Sequence, residues 1–165
     1  MFSFQGLRPD SIYRKMTEVP LNELRGQGYR AALLDMDNTI VHDHAEQPSA
    51  YSVEVIKKLR TAGFLCCVVS NAKSGRSAEL SKALDVPCVS YAGKPGTGGI
   101  VRALELLDVK KEEAVFFGDQ LFTDIAAAKR AGILAVLIEP LEKTEVFYVR
   151  LKRPLEWVVR RLGRF

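Results

Sequence analysis

The sequence has few of the side chains that form disulfides or bind soft metals. It contains three cysteines and two histidines in 165 residues. No two cysteines form a Cys-x-x-Cys pair, and Cys66 and Cys67 lie inside an apolar run, where free cysteine behaves as a small hydrophobic residue. An odd number of cysteines without a spaced framework predicts free thiols in a reducing compartment. These absences argue against a disulfide-stabilised secreted scaffold and against a cysteine-based zinc site.

Long hydrophobic runs are also missing. No apolar stretch approaches the ~20 residues that a membrane span needs, and the N-terminal residues lack the pattern of a signal peptide. We therefore expect a cytoplasmic protein. A content of 47% hydrophobic and 27% charged residues is ordinary for a globular protein, and the length predicts a single domain over residues 1–165.

An excess of one charge is missing from most of the chain. The net charge is +4, and residues 141–165 alone hold seven Lys or Arg against three Asp or Glu. The whole basic excess therefore lies in this segment, and we expect no nucleic-acid partner. The predicted domain has a core over about residues 30–140, an N-terminal extension over 1–29 and a basic amphipathic C-terminal segment over 141–165.

Apolar runs alternate with helical patterns along the chain. The runs predict five strands, over residues 31–34, 64–69, 86–89, 114–117 and 134–138. Helical spacing predicts helices over residues 52–62, 76–84, 98–107 and 122–131, and short helices near residues 12–16 and 21–27. The alternation predicts an α/β fold with three α/β/α layers, Rossmann-like, around a mostly parallel five-stranded sheet. Pro87 predicts an edge position for the third strand.

A pair of aspartates follows the first predicted strand. Apolar residues lead into Asp35, and Asp37 lies two positions later, so both side chains can point into one pocket. An unpaired ionised carboxylate in a core costs several kcal/mol, so something positive must meet the pair. Asp37 is a candidate proton donor, and Asp35 is a candidate nucleophile or metal ligand. The alternative is a strand end with two helix-capping aspartates.

Polar residues also follow the other predicted strands. Ser70 and Asn71 follow the second strand, Lys94 the third and Asp119 the fourth. Because ligands of such folds bind beyond the carboxyl ends of the strands, these residues predict one shared site. Taken singly, Ser70 and Asn71 are equally typical of a helix cap, Lys94 of a solvated loop, and Asp119 of a cap favoured by the helix dipole.

The predicted set favours magnesium and phosphate. Clustered carboxylates without histidine or cysteine suit a hard cation, and a lysine, a hydroxyl and backbone N–H groups suit a phosphate. Phosphoryl transfer needs this combination of positioning and charge neutralisation. The nearby His42-Asp43-His44 run suggests zinc, but its spacing matches no common zinc site, and a solvated loop is the preferred interpretation.

Four short motifs occur in order along the chain. They are Asp35-Met36-Asp37-Asn38-Thr39, Ser70-Asn71, Lys94-Pro95 and Gly118-Asp119 with Asp124. Together they resemble the four motifs of the haloacid dehalogenase (HAD) superfamily, over about residues 30–140. With an aspartate at position 37, the first motif resembles that of the phosphatases of the superfamily. The dehalogenases lack this residue.

The resemblance implies a hydrolase of phosphoric monoesters and a role for each motif residue. Asp35 would be the nucleophile that becomes an aspartyl-phosphate, Asp37 the general acid and base, and Lys94 the group that neutralises charge. The implied cofactor is Mg²⁺, with Asp35, Asp119 and the backbone carbonyl of Asp37 as ligands. The other implied roles are substrate binding by Ser70, Asn71 and Thr39, and support of the site by Asp124.

The segments that connect the predicted strands are too short to form a further domain over the site. Residues 41–65 have room for one loop and one helix, and residues 72–93 for one helix and one strand, so we expect no cap domain. An open site suits a large or surface-bound phosphate. The alternatives are a receiver domain of two-component signalling, a phosphate-binding or assembly module with incidental hydrolysis, and a soluble phosphatase with a non-lipid substrate.

The extended N-terminus and basic C-terminus resemble the YqeG-type branch (HAD class IIIA). That branch is related to phosphatidylglycerophosphate phosphatases, which implies a lipid phosphate as a candidate substrate. A helix is predicted from Pro154. Its apolar stripe is Leu151, Leu155, Val158, Val159 and Leu162, and Arg153, Arg160, Arg161 and Arg164 lie to the other side, with Trp157 between. The segment is either a helix docked on the sheet or a basic amphipathic surface in peripheral contact with anionic lipid.

Overall fold

The computed structural model describes residues 5–73, 75–141 and 147–163. The strands are β1 Ser11–Tyr13, β2 Ala31–Leu34, β3 Leu65–Val69, β4 Cys88–Val89, β5 Ala114–Gly118 and β6 Leu134–Ile138. The α-helices are α1 Leu21–Gly26, α2 Ala50–Thr61, α3 Arg76–Ala83, α4 Gly98–Leu107, α5 Ala126–Ala131 and α6 Phe147–Gly163. A π-helical turn, Leu121–Ile125, precedes α5.

The strands form one parallel sheet in the order β1-β6-β5-β2-β3-β4. Strand β2 lies at its centre, where Leu33 pairs with Phe116 of β5 on one side and with Cys67 of β3 on the other. Strand β4 lies at the edge, as Pro87 predicts. The predicted parallel α/β architecture is therefore confirmed.

The sheet has six strands, and the prediction of five is wrong by one. The sixth is β1, in a segment whose spacing predicts a short helix. Ile12 of β1 pairs with Leu137 of β6, and the side chain of Asp10 accepts a hydrogen bond from the backbone N–H of Ala135 (2.8 Å) instead of capping a helix. A segment of only three residues is compatible with a helix or a strand. It forms a strand here because it can pair with the edge of β6.

Helices cover both faces of the sheet. Alternate residues of β2 point to opposite sides, so Ala32 and Leu34 join one core cluster and Ala31 and Leu33 the other. Helices α2 and α3 pack in the first cluster, and α4, α5 and α6 contribute to the second. This confirms the three-layer α/β/α arrangement. A single helix, α2 or α3, connects β2 to β3 and β3 to β4, so the described residues leave no room for a cap there.

The C-terminal helix begins earlier than predicted. Helix α6 starts at Phe147 and contains Pro154 within it, although proline cannot donate the usual helical hydrogen bond. Within the described part of the chain, no helix is both long and apolar enough to cross a bilayer.

The predicted apolar stripe of α6 is split between two faces. Val159 is buried against the domain, whereas Leu155 and Val158 are 60% and 42% exposed and point away from it. A buried Glu156 occupies the inner face beside Val159. The helix is therefore docked on the domain while part of its apolar surface faces outward. The side chains of Leu151, Arg153, Leu162 and Arg164 lie outside the described residues.

Burial predicts that Cys66 and Cys67 react slowly in the folded protein. Burial raises the pKa of Cys66 to about 11 and that of Cys67 to about 12, and the thiolate is the reactive form. At pH 8 we expect both to react with a soluble thiol reagent at least about 100-fold more slowly in the folded than in the unfolded chain. Timed labelling with mass mapping measures this, and half-buried Cys88 reports on reagent access. Rapid labelling of Cys66 and Cys67 in the folded protein contradicts their buried placement in β3.

Candidate active site

The carboxyl end of β2 delivers Asp35 to the edge of the sheet. The backbone N–H of Asp35 still donates to the carbonyl of Phe117 (2.8 Å), so the residue is held in line with the sheet. The chain then turns sharply, with Asn38 in the left-handed region at φ 61° and its N–H bonded to the Val41 carbonyl. This turn brings the hydroxyl of Thr39 back to 3.5 Å from Asp35 Oδ2, to which it donates.

A buried lysine joins two carboxylates at this point. Lys94 Nζ lies 2.5 Å from Asp35 Oδ1 and 2.8 Å from Asp124 Oδ1, and all three side chains are buried. Burial lowers the pKa of Lys94, but the charges of Asp124 and Asp35 outweigh burial, and the net shift is upward. The lysine therefore stays charged, and the solvated-loop alternative for it is wrong.

Asn71 fastens the loop that carries the lysine. Its Nδ2 donates to the Lys94 carbonyl, and its Oδ1 accepts from the Lys94 N–H, both at 2.8 Å. Ser70 is buried beside it at the end of β3, where its Oγ accepts a hydrogen bond from the N–H of Ala72 (3.1 Å). Helix α3 has Gly75 as its N-cap, so the helix-cap alternative for Ser70 and Asn71 is wrong.

Three carboxylates form a cluster that includes both partners of the lysine. Asp35, Asp119 and Asp124 each offer an oxygen, and these oxygens lie within 4.8 Å of one another. The second oxygen of Asp124 accepts a hydrogen bond from the N–H of Gln120 (3.0 Å), as a helix cap does. A Cβ at Gly118 would lie 2.5 Å from the Asp124 Cβ, so glycine is required for this close approach.

The cluster carries more negative than positive charge. Burial raises the pKa of Asp35 to about 7, and the charge of Asp124 adds to this rise, against the opposing effect of Lys94. Lys94 pairs with both Asp35 and Asp124, so one ammonium group faces two carboxylates, and a divalent cation would neutralise the excess. Carboxylate oxygens without nitrogen or sulfur donors suit a hard cation such as Mg²⁺, so the donor set fits the metal that the motifs imply.

Asp37 pairs with a different cationic side chain from the one that contacts Asp35. Its Oδ1 accepts hydrogen bonds from both terminal nitrogens of Arg76, each at 2.8 Å, and the carboxylate is 32% exposed at the rim of the site. Arg76 also donates from Nε to the Ala45 carbonyl (2.7 Å), which ties α3 to the loop after β2. Sequence reasoning required a positive group near the aspartate pair but did not find Arg76. Its position at the start of a helix just after Ser70-Asn71 is the available signal.

The two histidines take no part in the cluster. Among the residues the structure describes, neither His42 nor His44 belongs to a group of three potential metal ligands. The His44 side chain is 78% exposed. The exposure of His44 agrees with the solvated-loop interpretation, whereas His42 is half-buried.

A groove opens beside the carboxylates. It has a volume of about 270 Å³ and runs from Asp119 to α6, where Glu156, Trp157 and Arg160 line it. A larger cavity of about 660 Å³ lies between α1 and α2, but no motif residue lines it, so volume does not locate the site. Sequence reasoning did not single out Glu156, because a glutamate in a basic amphipathic segment looks like an ordinary solvated residue.

The chain is similar in sequence to known hydrolases and phosphatases. The model of a family described as haloacid dehalogenase-like hydrolase matches residues 43–132. "Probable phosphatase YqeG" of Bacillus subtilis (strain 168) is 27% identical over 148 residues, which is 90% of this chain and 86% of the relative. "Phosphatidylglycerophosphate phosphatase 1, chloroplastic" of Chlamydomonas reinhardtii is 29% identical over 154 residues, 83% of this chain but only 55% of that protein.

Solved structures show the same fold at low identity. An uncharacterized protein from Listeria monocytogenes serotype 4b superposes with a TM-score of 0.54 at 16% identity, over 80% of this chain and 98% of that one. A HAD phosphatase from Thermococcus onnurineus superposes with a TM-score of 0.51 at 22% identity, over 66% of this chain and 58% of the other. At these identities the likeness bears on architecture alone.

Proposed function

The chain belongs to the haloacid dehalogenase-like hydrolases, and we propose that it is a Mg²⁺-dependent phosphatase that hydrolyses a phosphomonoester through an aspartyl-phosphate on Asp35. The observation that carries this proposal is the buried contact of Lys94 with Asp35 and Asp124, beside Asp119. The receiver-domain alternative does not fit the family. A phosphate-binding module with incidental hydrolysis remains the alternative that the experiments below address.

Asp35 is the proposed nucleophile. Burial raises the pKa of Asp35 to about 7, whereas the charge of Lys94 favours the ionised form that attacks phosphorus. Lys94 also orients this carboxylate through the 2.5 Å contact. One oxygen of Asp35 forms a bond to phosphorus while the bond from phosphorus to the leaving oxygen breaks. Asp37 gives a proton to that oxygen. A water then attacks the phosphorus of the aspartyl-phosphate, Asp37 takes the water proton, and phosphate leaves with Asp35 restored.

Arg76 orients the proposed general acid and base. Its two hydrogen bonds hold the carboxyl group of Asp37 at the rim of the site. A bound phosphoryl group would compete with Asp37 for the guanidinium, because both offer oxygen acceptors. We therefore assign Arg76 to the machinery together with Ser70, which would contact the phosphoryl group. Thr39 and Asn71 hold Asp35 and the Lys94 loop in place.

The cation would be held by Asp35, Asp119 and the backbone carbonyl of Asp37. When bound, Mg²⁺ neutralises carboxylate charge and polarises the phosphoryl oxygens. Asp124 is engaged by Lys94 and by the Gln120 N–H, so it supports the site from behind.

Removal of the cation should stop turnover. With an aryl phosphate as substrate, we expect hydrolysis in Mg²⁺ and a loss of at least about 100-fold in excess EDTA, restored when Mg²⁺ is returned. Release of inorganic phosphate is the measurement. Full activity in EDTA contradicts the metal assignment. No turnover with any divalent cation, together with phosphate binding, favours the binding-module alternative.

The proposed substrate class is an anionic lipid phosphate. Relatives from Chlamydomonas reinhardtii and Arabidopsis thaliana carry the name phosphatidylglycerophosphate phosphatase. Leu155, Trp157 and Val158 of α6 are exposed, and Arg161 lies over the Trp157 ring with 5.5 Å between its Cζ and the ring centroid. Tryptophan, exposed aliphatic side chains and arginine together suit the interface of an anionic membrane. Because Trp157 also lines the groove beside Asp119, a headgroup at that surface is near the site.

Vesicle binding tests this surface. The wild type should sediment with anionic vesicles at low salt, and the double variant Trp157→Ala/Arg161→Gln should bind about 10-fold more weakly, since each basic residue contributes about 1 kcal/mol and the ring adds its own burial. Leu106→Ala/Lys57→Gln, which changes an exposed apolar and a basic residue on other helices, is the matched control. No binding of the wild type, together with no turnover of phosphatidylglycerophosphate, rejects the lipid and leaves a phosphatase with a non-lipid substrate.

A further inference from the structure

Helix α6 contributes a buried charge next to the site. The structure describes five buried charged side chains, of which Asp35, Lys94, Asp119 and Asp124 belong to the motifs; the fifth is Glu156, which is only 4% exposed. Its Oε1 accepts a hydrogen bond from the backbone N–H of Leu121 at 3.0 Å. Burying a carboxylate costs several kcal/mol unless hydrogen bonds or charges compensate. Solubility alone would therefore favour a glutamate that is exposed on the surface.

The partner of Glu156 lies in the loop that presents the carboxylate cluster. Leu121 is the first residue of the π-helical turn Leu121–Ile125, whose opening N–H groups have no partner within the turn. Asp124 accepts from the N–H of Gln120, and Glu156 accepts from the next N–H along. Two carboxylates thus cap consecutive amides, one from inside the turn and one from α6. The two caps together define the path of the chain between Asp119 and Asp124.

The contact also lies on the wall of the groove. Glu156, Trp157 and Arg160 line the same 270 Å³ groove as Asp119 and Leu121. Helix α6 therefore contacts the loop of the cluster through the Glu156 hydrogen bond and lines the same groove. A shift of the helix would remove the cap from the Leu121 amide and free the loop at its start.

We propose that Glu156 is a positioning residue: its hydrogen bond to the Leu121 N–H holds the 119–124 loop so that Asp119 and Asp124 face Asp35 and Lys94, and it thereby couples the docking of α6 to cation binding. The inference rests on the proposed function, because it concerns the same carboxylates. Coupling between two sites is reciprocal, so the cation strengthens the docking of α6 by the factor by which docking strengthens the cation.

Two variants at position 156 separate the hydrogen bond from the charge. Glu156→Gln keeps an oxygen acceptor and removes the charge, whereas Glu156→Leu removes the acceptor at similar size. Val159→Ala, on the same buried face of α6, is the matched control, because it weakens packing and leaves the contact in place. Trp157 is the only tryptophan of the chain and lines the groove, so its fluorescence reports Mg²⁺ binding without substrate.

We expect Glu156→Leu to raise the dissociation constant for Mg²⁺ about 10-fold and to speed hydrogen exchange of the Leu121 amide in the metal-free protein. Glu156→Gln and Val159→Ala should stay within about threefold of the wild type in Mg²⁺ affinity. If Glu156→Gln is as weak as Glu156→Leu, the effect is one of charge and the positioning role is overturned. If Val159→Ala binds Mg²⁺ equally weakly although amide exchange shows that α6 is still docked, the effect is general destabilisation, which also overturns the positioning role.

The wild type supplies a test that does not depend on any variant folding. Mg²⁺ should slow amide exchange in α6 at least about fivefold by reciprocity, and unchanged exchange there refutes the coupling. A wild type that neither binds Mg²⁺ nor hydrolyses an aryl phosphate refutes the proposed function itself. A wild type that does both, beside a Glu156→Leu variant with the same Mg²⁺ affinity and the same Leu121 exchange, refutes only the inference.

Discussion

Asp35→Asn abolishes turnover and stabilises the metal-free protein. An amide is a poor nucleophile, so we expect kcat to fall at least about 10⁴-fold, as is typical when a covalent nucleophile is removed. Lys94 keeps its contact with Asp124 in this variant, so the buried ammonium still has a partner. Turnover of an aryl phosphate in saturating Mg²⁺ is the measurement, and a rate near that of the wild type contradicts the covalent mechanism.

The gain in stability follows from the raised pKa of Asp35. Burial raises this pKa from the ordinary range near 4 to about 7 in the folded protein. Between about pH 4 and pH 7 the folded state therefore binds the proton more tightly than the unfolded chain, and this group makes the free energy of unfolding fall as pH rises. Asparagine does not ionise, so in the variant this position does not lower the free energy of unfolding as pH rises. Without metal at pH 8, we expect Asp35→Asn to be more stable by roughly 1–3 kcal/mol, with little difference at pH 4.

Asp37→Asn is the matched control for both effects. Asp37 is partly exposed and pairs with Arg76 at the surface, so its loss should cost at most about 1 kcal/mol and should not stabilise the protein. The nucleophile is intact in this variant, but leaving-group protonation and water activation are impaired. We expect slow turnover with phosphate trapped on Asp35, detectable by mass spectrometry. Equal stabilisation of both variants in denaturant titrations contradicts the buried charge imbalance at Asp35.

Lys94→Met removes the cation from the centre of the cluster. The change leaves Asp35 and Asp124 buried beside each other without an ammonium group, and breaking a buried ion pair in this way costs about 3–5 kcal/mol. We expect a loss of that size in the free energy of unfolding at pH 8. Turnover should fall at least about 10³-fold, because the lysine orients the nucleophile and neutralises charge on the phosphoryl group.

The cost of Lys94→Met depends on pH and on metal in a defined direction. Lys94 lowers the pKa of Asp35 in the wild type, so its loss raises that pKa further. Protonation of Asp35 as pH falls removes one unpaired charge, and the stability difference from the wild type should therefore shrink in acid. Mg²⁺ should restore part of the stability without restoring turnover. Lys57→Met, at an exposed lysine on α2, is the matched control and should change neither property. A Lys94→Met protein with wild-type stability in metal-free buffer at pH 8 contradicts the buried ion-pair network.

The residues of the sheet and the motif positions could be predicted from the sequence. Strand β2 is apolar at every position because it is buried on both faces, and continuous apolar runs separated by helical patterns are typical of a parallel sheet. Topology then requires the carboxyl ends of such strands to lie at one edge. This is why the sequence by itself assigns Asp35, Lys94 and Asp119 to one region. The Lys94–Asp35 contact joins residues 59 positions apart, and the fold class alone predicts their proximity.

The short edge strand and the C-terminal helix were not readable in the same way. Residues 11–13 pair with β6 because that strand offers unpaired backbone groups. A segment of three residues is too short for its periodicity to predict this pairing. In α6 the apolar pattern predicted a single stripe, yet Val159 is buried while Leu155 and Val158 face outward, and Glu156 faces inward. Hydrophobic periodicity gives the faces of a helix but not the partner that a polar side chain will find.

Periodicity and the alternation of strands and helices thus predicted the architecture and the polar residues at the strand ends, and the resemblance to the HAD motifs implied their roles. Both depend on patterns within short segments. Tertiary structure alone decided which charge meets which: Arg76 with Asp37, Asn71 with the Lys94 backbone, and Glu156 with the Leu121 amide. Each of these contacts joins segments more than 20 residues apart. Their energies depend on burial and on distances of a few tenths of an ångström, which packing of the whole chain sets and no local pattern records.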